Sequence, residues 1–424
     1  MIGAFATLPL SLRLLIVLLL SVVASRLANW AIYSWAHFSR QLGPWAKPPQ
    51  GMPSRTWADH LPVVGWWLLR REAKEHGANF WLRPMLIELI FPLSVVCYFQ
   101  FLVGGGTLPP ALKMFATTMQ AELHGQFIGH FVLISLMTVA TFIDFDEQSI
   151  PDTVTIPGTV IGLLGAALVP GWMGFTTILT VNGEMPAELH AVSPNAWLDW
   201  LNGRWGLYFA IAIIVVWGFA LLDRRIILRR GISKAVVYFF AKLMRPHWLW
   251  KVALAVSCVM LVGVCVAWNL QIIRWPYLLS SLFGLACAGG ITWAVRISAS
   301  AALRVQALGF GDVTLMAMIG TYVGWQPSIL IFFIAPLMAV LIVVVQYLLT
   351  GEKAAPYGPY LCAATVAVFV GWSSLWFGWA MPVFALGLTI LAILAVCVVA
   401  MGAMLWIWRL IRGMIWADDQ PQSV

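Results

Sequence analysis

Long apolar runs, broken by short polar stretches, set the organisation of this chain. A hydrocarbon slab about 30 Å thick takes about 20 residues of helix, and by that measure the pattern predicts about eleven spans. They run over Leu14–Ala36, Met85–Val103, Phe127–Ile143, Val154–Leu168, Trp205–Leu222, Val252–Leu270, Tyr277–Ile297, Val313–Gly324, Ser328–Leu349, Tyr360–Phe377 and Val383–Ile407. The fold class this predicts is all-α, a polytopic membrane helical bundle, because a helix satisfies every backbone polar group within the segment. The fourth and eighth runs are the shortest.

Composition agrees. Of 424 residues, 61% are hydrophobic and 10% charged, too little polar surface to enclose a water-soluble core. A net charge of +8 raises the question of nucleic acid, but the cations follow the loops and do not gather on a soluble domain, so no nucleic-acid partner is expected. One set of loops holds Arg40, Lys47, Arg55, Arg70, Arg71, Lys74 and Arg83, then Arg224, Arg225, Arg229, Arg230, Lys234, Lys242, Arg245 and Lys251, then Arg304, Lys353, Arg409 and Arg412. The alternate loops hold Lys113, Arg204 and Arg274. The positive-inside rule then puts the N-terminus outside and the C-terminus in the cytoplasm, in the cell's inner (cytoplasmic) membrane. Arg13 before Leu14–Ala24 also fits a cleaved signal peptide; the span is retained in the reading above.

The chain divides into a first span (1–37), a loop module (38–83), spans with a terminal aspartate (84–171), an outer loop (172–204), further spans with a basic loop at 223–251 (205–300), spans that follow a glycine-rich turn (301–412) and a tail (413–424). Arg70–Glu75 within the first loop suits a short helix. The basic, aromatic-rich segment Asp223–Lys251 suits the surface of an anionic leaflet, so membrane lipids are expected partners. Turn formers at Asn182-Gly183, Pro186 and Ser193-Pro194-Asn195 predict irregular structure in Gly171–Arg204, and the polar end Ala417–Val424 reads as disordered. The six cysteines, Cys97, Cys258, Cys265, Cys287, Cys362 and Cys397, lie scattered in apolar spans without a CxxC pair, which reads as small buried side chains and not as a metal or disulfide framework.

Two acids stand apart. Asp144 closes the third span and Asp312 opens the eighth, behind Gly309-Phe310-Gly311. Carboxylates at a membrane span are costly and mark function by default. Two carboxyls a few ångströms apart cannot both ionise, so proximity itself makes one the acid and the other the base for hydrolysing a peptide, without a metal. Gly309 and Gly311 lack side chains where an extended substrate backbone would approach. The plainer alternative is a tight loop with Asp312 capping its helix. Asp146 and Glu147 read as solvated loop charges and Asp152 as the N-cap of the next span. His130 lies fourteen residues before Asp144, roughly 21 Å along a helix, toward the other leaflet.

With these residues in place, the chain resembles the type IV prepilin leader peptidases, a family of GxGD intramembrane aspartyl proteases. The resemblance rests on Ala24–Asn29, Leu61–Trp66, Arg83–Glu88, Asp144–Pro157, Gly309–Asp312 and Pro356–Pro359, in the family's order. It implies that Asp144 and Asp312 are the catalytic aspartates, and that the substrate is a prepilin or pseudopilin whose short basic leader is cut at the cytoplasmic face, after a glycine that precedes an apolar helix. Three departures follow. The loop Phe38–Arg83 lacks the family's two CxxC pairs, so zinc is not expected. The same change leaves the methylation many members carry out, with S-adenosylmethionine, without its usual loop. Extra spans separate the two aspartates, and Thr314 stands where a lysine often follows Gly-Asp. Two other readings use the same acids or none: a transporter coupling protons or cations through them, and a catalytically silent relative that assists pilin assembly.

Overall fold

The computed structural model describes residues 2–180, 183–221, 248–270, 274–304, 308–350, 356–387 and 389–415. Each predicted span is a helix: α1 Leu10–Ser34, α2 Leu82–Val103, α3 Gln120–Glu147, α4 Asp152–Leu168, α5 Arg204–Leu221, α6 Trp248–Leu270, α7 Trp275–Leu303, α8 Phe310–Val323, α9 Trp325–Thr350, α10 Gly358–Leu375 and α11 Thr389–Ile415. Among the described residues, seven apolar helices are long enough to cross a membrane: α1, α2, α3, α7, α9, α10 with its continuation to Phe384, and α11. The chain is a multi-pass membrane protein. Among the described residues, the other four predicted spans fall in shorter apolar stretches, Asp152–Leu168, Arg204–Ala220, Leu254–Leu270 and Phe310–Val323. The eleventh helix begins at Thr389, not at 383; a π-helical segment Trp376–Ala380 and a short helix Met381–Phe384 prolong the tenth instead.

The shortest of these helices is the most enclosed. With 14 residues, α8 is about 21 Å long, less than a hydrocarbon core, and every residue in it except Gly311 is buried. It lies between α7 and α4, with α9, α10 and α3 completing its surroundings. Close backbone approach makes this packing: a Cβ on Gly284 of α7 would lie 2.0 Å from the carbonyl oxygen of Gly320 of α8, and one on Gly320 would lie 2.2 Å from that of Gly284. Small residues at a helix crossing let dispersion contacts replace the hydrophobic drive that lipid removes. Met316, Met318, Ile319 and Tyr322 of α8 lie in the largest apolar cluster, together with residues of α1, α3, α9 and α10. A second cluster joins α5, α6 and α7, and a third joins α1, α2 and α3.

The outer loop is more regular than its sequence suggests. Phe175–Thr180 and Gly183–Glu188 form an antiparallel hairpin, with Phe175 opposite Glu188 and Thr180 opposite Gly183. Trp372 Nε1 donates to the Phe175 carbonyl at 2.9 Å and Trp376 Nε1 to Thr176 Oγ1 at 3.1 Å, tying the hairpin to α10. Glu188 at its end is paired with Arg274 at the start of α7.

The loop between α1 and α2 folds on buried acids. Short helical turns at Leu69–Glu72 and Ala73–His76 cover the predicted Arg70–Glu75 stretch. Glu72 pairs with Arg55, and Asp59 accepts Arg71 Nη2 at 2.7 Å. Glu88 of α2 accepts the Val63 amide at 2.7 Å, Trp66 Nε1 at 2.9 Å and Asn29 Nδ2 at 3.3 Å. Three separate sequence elements, around Asn29, Val63 and Glu88, thus meet at one carboxylate. The basic segment from Asp223 and the tail from Ala417 lie outside the described residues up to 247 and from 416; at Trp248, within the stretch read as loop, the chain is already helical.

Candidate active site

Three chain segments converge at one end of the bundle. The first is the end of α3. There Gln148 takes a left-handed conformation (φ 52°) and its amide donates to the Asp144 carbonyl at 2.8 Å, which stops the helix directly after the acidic cluster. Ser149, Ile150 and Pro151 bridge to α4, which starts at Asp152; the cap position belongs to Pro151, so Asp152 is the first helical residue and not the N-cap. The second segment is the turn before α8, and the third is Tyr357-Gly358 at the start of α10.

Asp144 and Asp312 are both buried, at 4% and 6% exposure. The Gly358 amide donates to Asp144 Oδ2 at 3.2 Å. The Gly309 amide donates to Asp312 Oδ2 at 3.1 Å, and Asp312 sits in the first turn of α8, where the helix dipole favours a carboxylate. The helix-capping alternative is therefore partly realised: Asp312 does close the turn, through its own side chain. Asp144's charge acts on Asp312, and both act on the thiol of Cys362, one turn into α10. Asp312 acts in turn on the Tyr357 phenol. Two acids more than 160 positions apart in sequence are within electrostatic reach of each other, and their burial limits screening.

Ile150 is the hinge pin of this arrangement. A Cβ on Gly311 would lie 2.9 Å from Ile150 Cβ and 3.1 Å from its amide nitrogen; one on Gly358 would lie 2.5 Å from Asp144 Oδ2 and 2.9 Å from Ile150 Cδ1. Gly311 is thus bare because the loop after Asp144 packs on it, a job the sequence did not disclose. Gly309 faces the Asp312 carboxylate, 3.2 Å from where its Cβ would stand. On the far side of the turn Arg296 of α7 donates from Nε to the Leu308 carbonyl at 2.9 Å.

Neighbouring acids anchor the same face. Asp146 forms a two-point pair with Arg83 at 2.6 and 2.8 Å, and the Glu147 carboxylate accepts the amides of His37 and Phe38, each at 2.8 Å. They are not simply solvated charges: they fix the ends of α1, α2 and α3 beside the aspartates. His130 is remote from them, buried against Phe369 with Tyr98 Oη at 2.5 Å from Nδ1. Of the residues the site brings together, Arg296 and Cys362 lie outside the motifs that carry the resemblance; Ile150, Tyr357 and Gly358 lie within them, but nothing local in the sequence shows what they pack against.

Fold and site together define a polytopic helical membrane protein that buries two aspartates, one at the end of α3 and one at the start of α8. The type IV leader peptidase family model matches residues 240–344, which supports the family assignment drawn from the motifs and, at that level, a leader-peptidase-like protease. The matched stretch includes Gly309–Asp312 and leaves Asp144 outside it. No curated protein and no solved structure matches the chain.

Proposed function

We propose that this chain is an intramembrane aspartyl endopeptidase that removes the leader from prepilin-like substrates, type IV pilins or pseudopilins, at the cytoplasmic face of the inner membrane, with its own N-terminus outside and C-terminus inside. The observation that supports this most is the burial of Asp144 and Asp312 on segments that both pack at Ile150, with the charge of Asp144 felt at Asp312. One carboxylate takes a proton from water as the water attacks the scissile carbonyl; the other, protonated, donates to that carbonyl oxygen and later the roles reverse as the amine leaves. The Gly358 and Gly309 amides each hold one carboxyl oxygen, which leaves the opposite oxygen of each for water or substrate. Position supports the assignment as well, since a cut next to an apolar helix must be made where that helix leaves the membrane.

The test is processing of a prepilin-like substrate by the full chain in lipid vesicles, beside Asp144→Asn and Asp312→Asn. A protease of this kind loses cleavage in both variants. Cleavage that survives in both would take these residues out of the mechanism, and a parent protein that never cleaves but moves protons or cations would favour transport.

A further inference from the structure

We propose that Arg296 is a positioning residue for Asp312, acting through the peptide bond between Leu308 and Gly309. The inference rests on the protease reading above. Arg296 belongs to the apolar helix α7, where a guanidinium is costly unless it has a partner. Its partner is the turn that holds Asp312. Nε donates to the Leu308 carbonyl at 2.9 Å, and the guanidinium carbon lies 5.7 Å from the centre of the Phe310 ring.

The Leu308 carbonyl and the Gly309 amide are two ends of one planar unit. The amide end donates to Asp312 Oδ2 at 3.1 Å. Arg296 therefore grips the carbonyl end of the same plane whose other end holds the carboxylate, and a rotation of that plane would break both bonds. A charged donor on the carbonyl also polarises the amide and strengthens its bond to the aspartate. The charged groups acting on Asp312 from the packed helices are Arg296 from α7 and Asp144 from α3, while Asp312 acts in turn on Tyr357 and Cys362 at the start of α10. Arg296 is the one cation in that set. Thr314, two residues past the aspartate, is neutral and hydrogen-bonds back to the Gly311 carbonyl at 3.0 Å. The turn thus draws its cation from a neighbouring helix.

The experiment compares Arg296→Met, which keeps the apolar stem, with Arg296→Lys, which restores a charged donor, and with Asp312→Asn. Prepilin processing in vesicles is read alongside amide exchange at Gly309, with thermal unfolding to confirm that each variant folds. Arg296→Met should lower kcat by about ten- to a hundredfold, as expected for losing a charge-assisted hydrogen bond, with KM changed less than about twofold, the pattern of an interaction acting on the chemical step. Arg296→Lys should recover most of the loss, and the Gly309 amide should exchange faster in Arg296→Met. A folded Arg296→Met with wild-type kcat and wild-type exchange overturns the proposal. Cleavage by Asp312→Asn would instead sink the protease reading, and the Gly309 exchange would still decide whether Arg296 holds the turn.

Discussion

Replacing Gly358 by alanine perturbs the site by a single methyl. The new Cβ would stand 2.5 Å from Asp144 Oδ2 and 2.9 Å from Ile150 Cδ1, and the first contact falls about 0.8 Å short of an ordinary C···O approach of about 3.3 Å. Gly358 has no left-handed backbone to lose, so the effect is contact alone. The carboxyl must give way, and with it the hydrogen bond from the Gly358 amide. A misplacement of about 1 Å in a catalytic group costs on the order of a hundredfold in rate, while overpacking of this kind destabilises by about 1–3 kcal/mol. The assay is kcat for prepilin processing in vesicles, with thermal unfolding in detergent. The control is Gly290→Ala on α7, where a Cβ meets nothing within 4 Å and alanine in a helix is worth up to about 1 kcal/mol. Gly358→Ala should be folded and slowed about a hundredfold, and Gly290→Ala should match the parent. A Gly358→Ala protein that cleaves at the parent rate would refute the placement of Asp144 against this backbone.

Other outcomes follow from the packing and the charges. Gly320→Val should cost about 3 kcal/mol or more and lower the thermal midpoint, because its side chain meets the Gly284 backbone, which cannot swing aside. Tyr98→Phe removes the partner of the buried His130 ring and should destabilise by about 1–3 kcal/mol with kcat unchanged, since that pair lies far from the aspartates. Asp59 in the first loop is buried, which by itself raises a carboxyl's pKa, but hydrogen bonds from Thr56 and Arg71 outweigh burial and hold it below its ordinary value. A lowered folded pKa means that Asp59 contributes its full stability above the unfolded value of about 3.9. That contribution fades as pH falls through the folded value. Protease nicking of the 38–83 loop should therefore be flat down to about pH 4 and rise below it, and Asp59→Asn should be nicked more readily at neutral pH with less change on acidification.

What the sequence disclosed was set by range. An apolar run declares a helix wherever it lies, so eleven segments are legible, but the run does not say what encloses it, and the 14 residues of α8 are buried by neighbouring helices. The hairpin is not legible because Asn182-Gly183 and Pro186 both read as turn formers of an irregular loop, although Asn-Gly between two short runs is also a hairpin signal; Pro186 is tolerated in the second strand because each strand of a two-stranded sheet is an edge. Asp144 and Asp312 were legible as misplaced charges. Their supports were not: Gly358 lies 214 residues from Asp144, and no local pattern announces that a glycine amide will meet a carboxylate. Asp146 and Glu147 looked solvated because exposed acids usually are, yet the chain leaving α1 needed acceptors for its amides at His37 and Phe38.

The nearness of the two carboxyls can be measured without any substrate. Replace the six native cysteines, introduce cysteine at 144 and 312 together, and treat the protein in vesicles with thiol cross-linkers of graded length. A shared site predicts efficient coupling with the shortest reagents and little coupling when the second cysteine is placed at 130 instead of 144. If positions 144 and 312 couple no better than that control pair at any length, the aspartates do not share a site and the hydrolytic mechanism cannot stand.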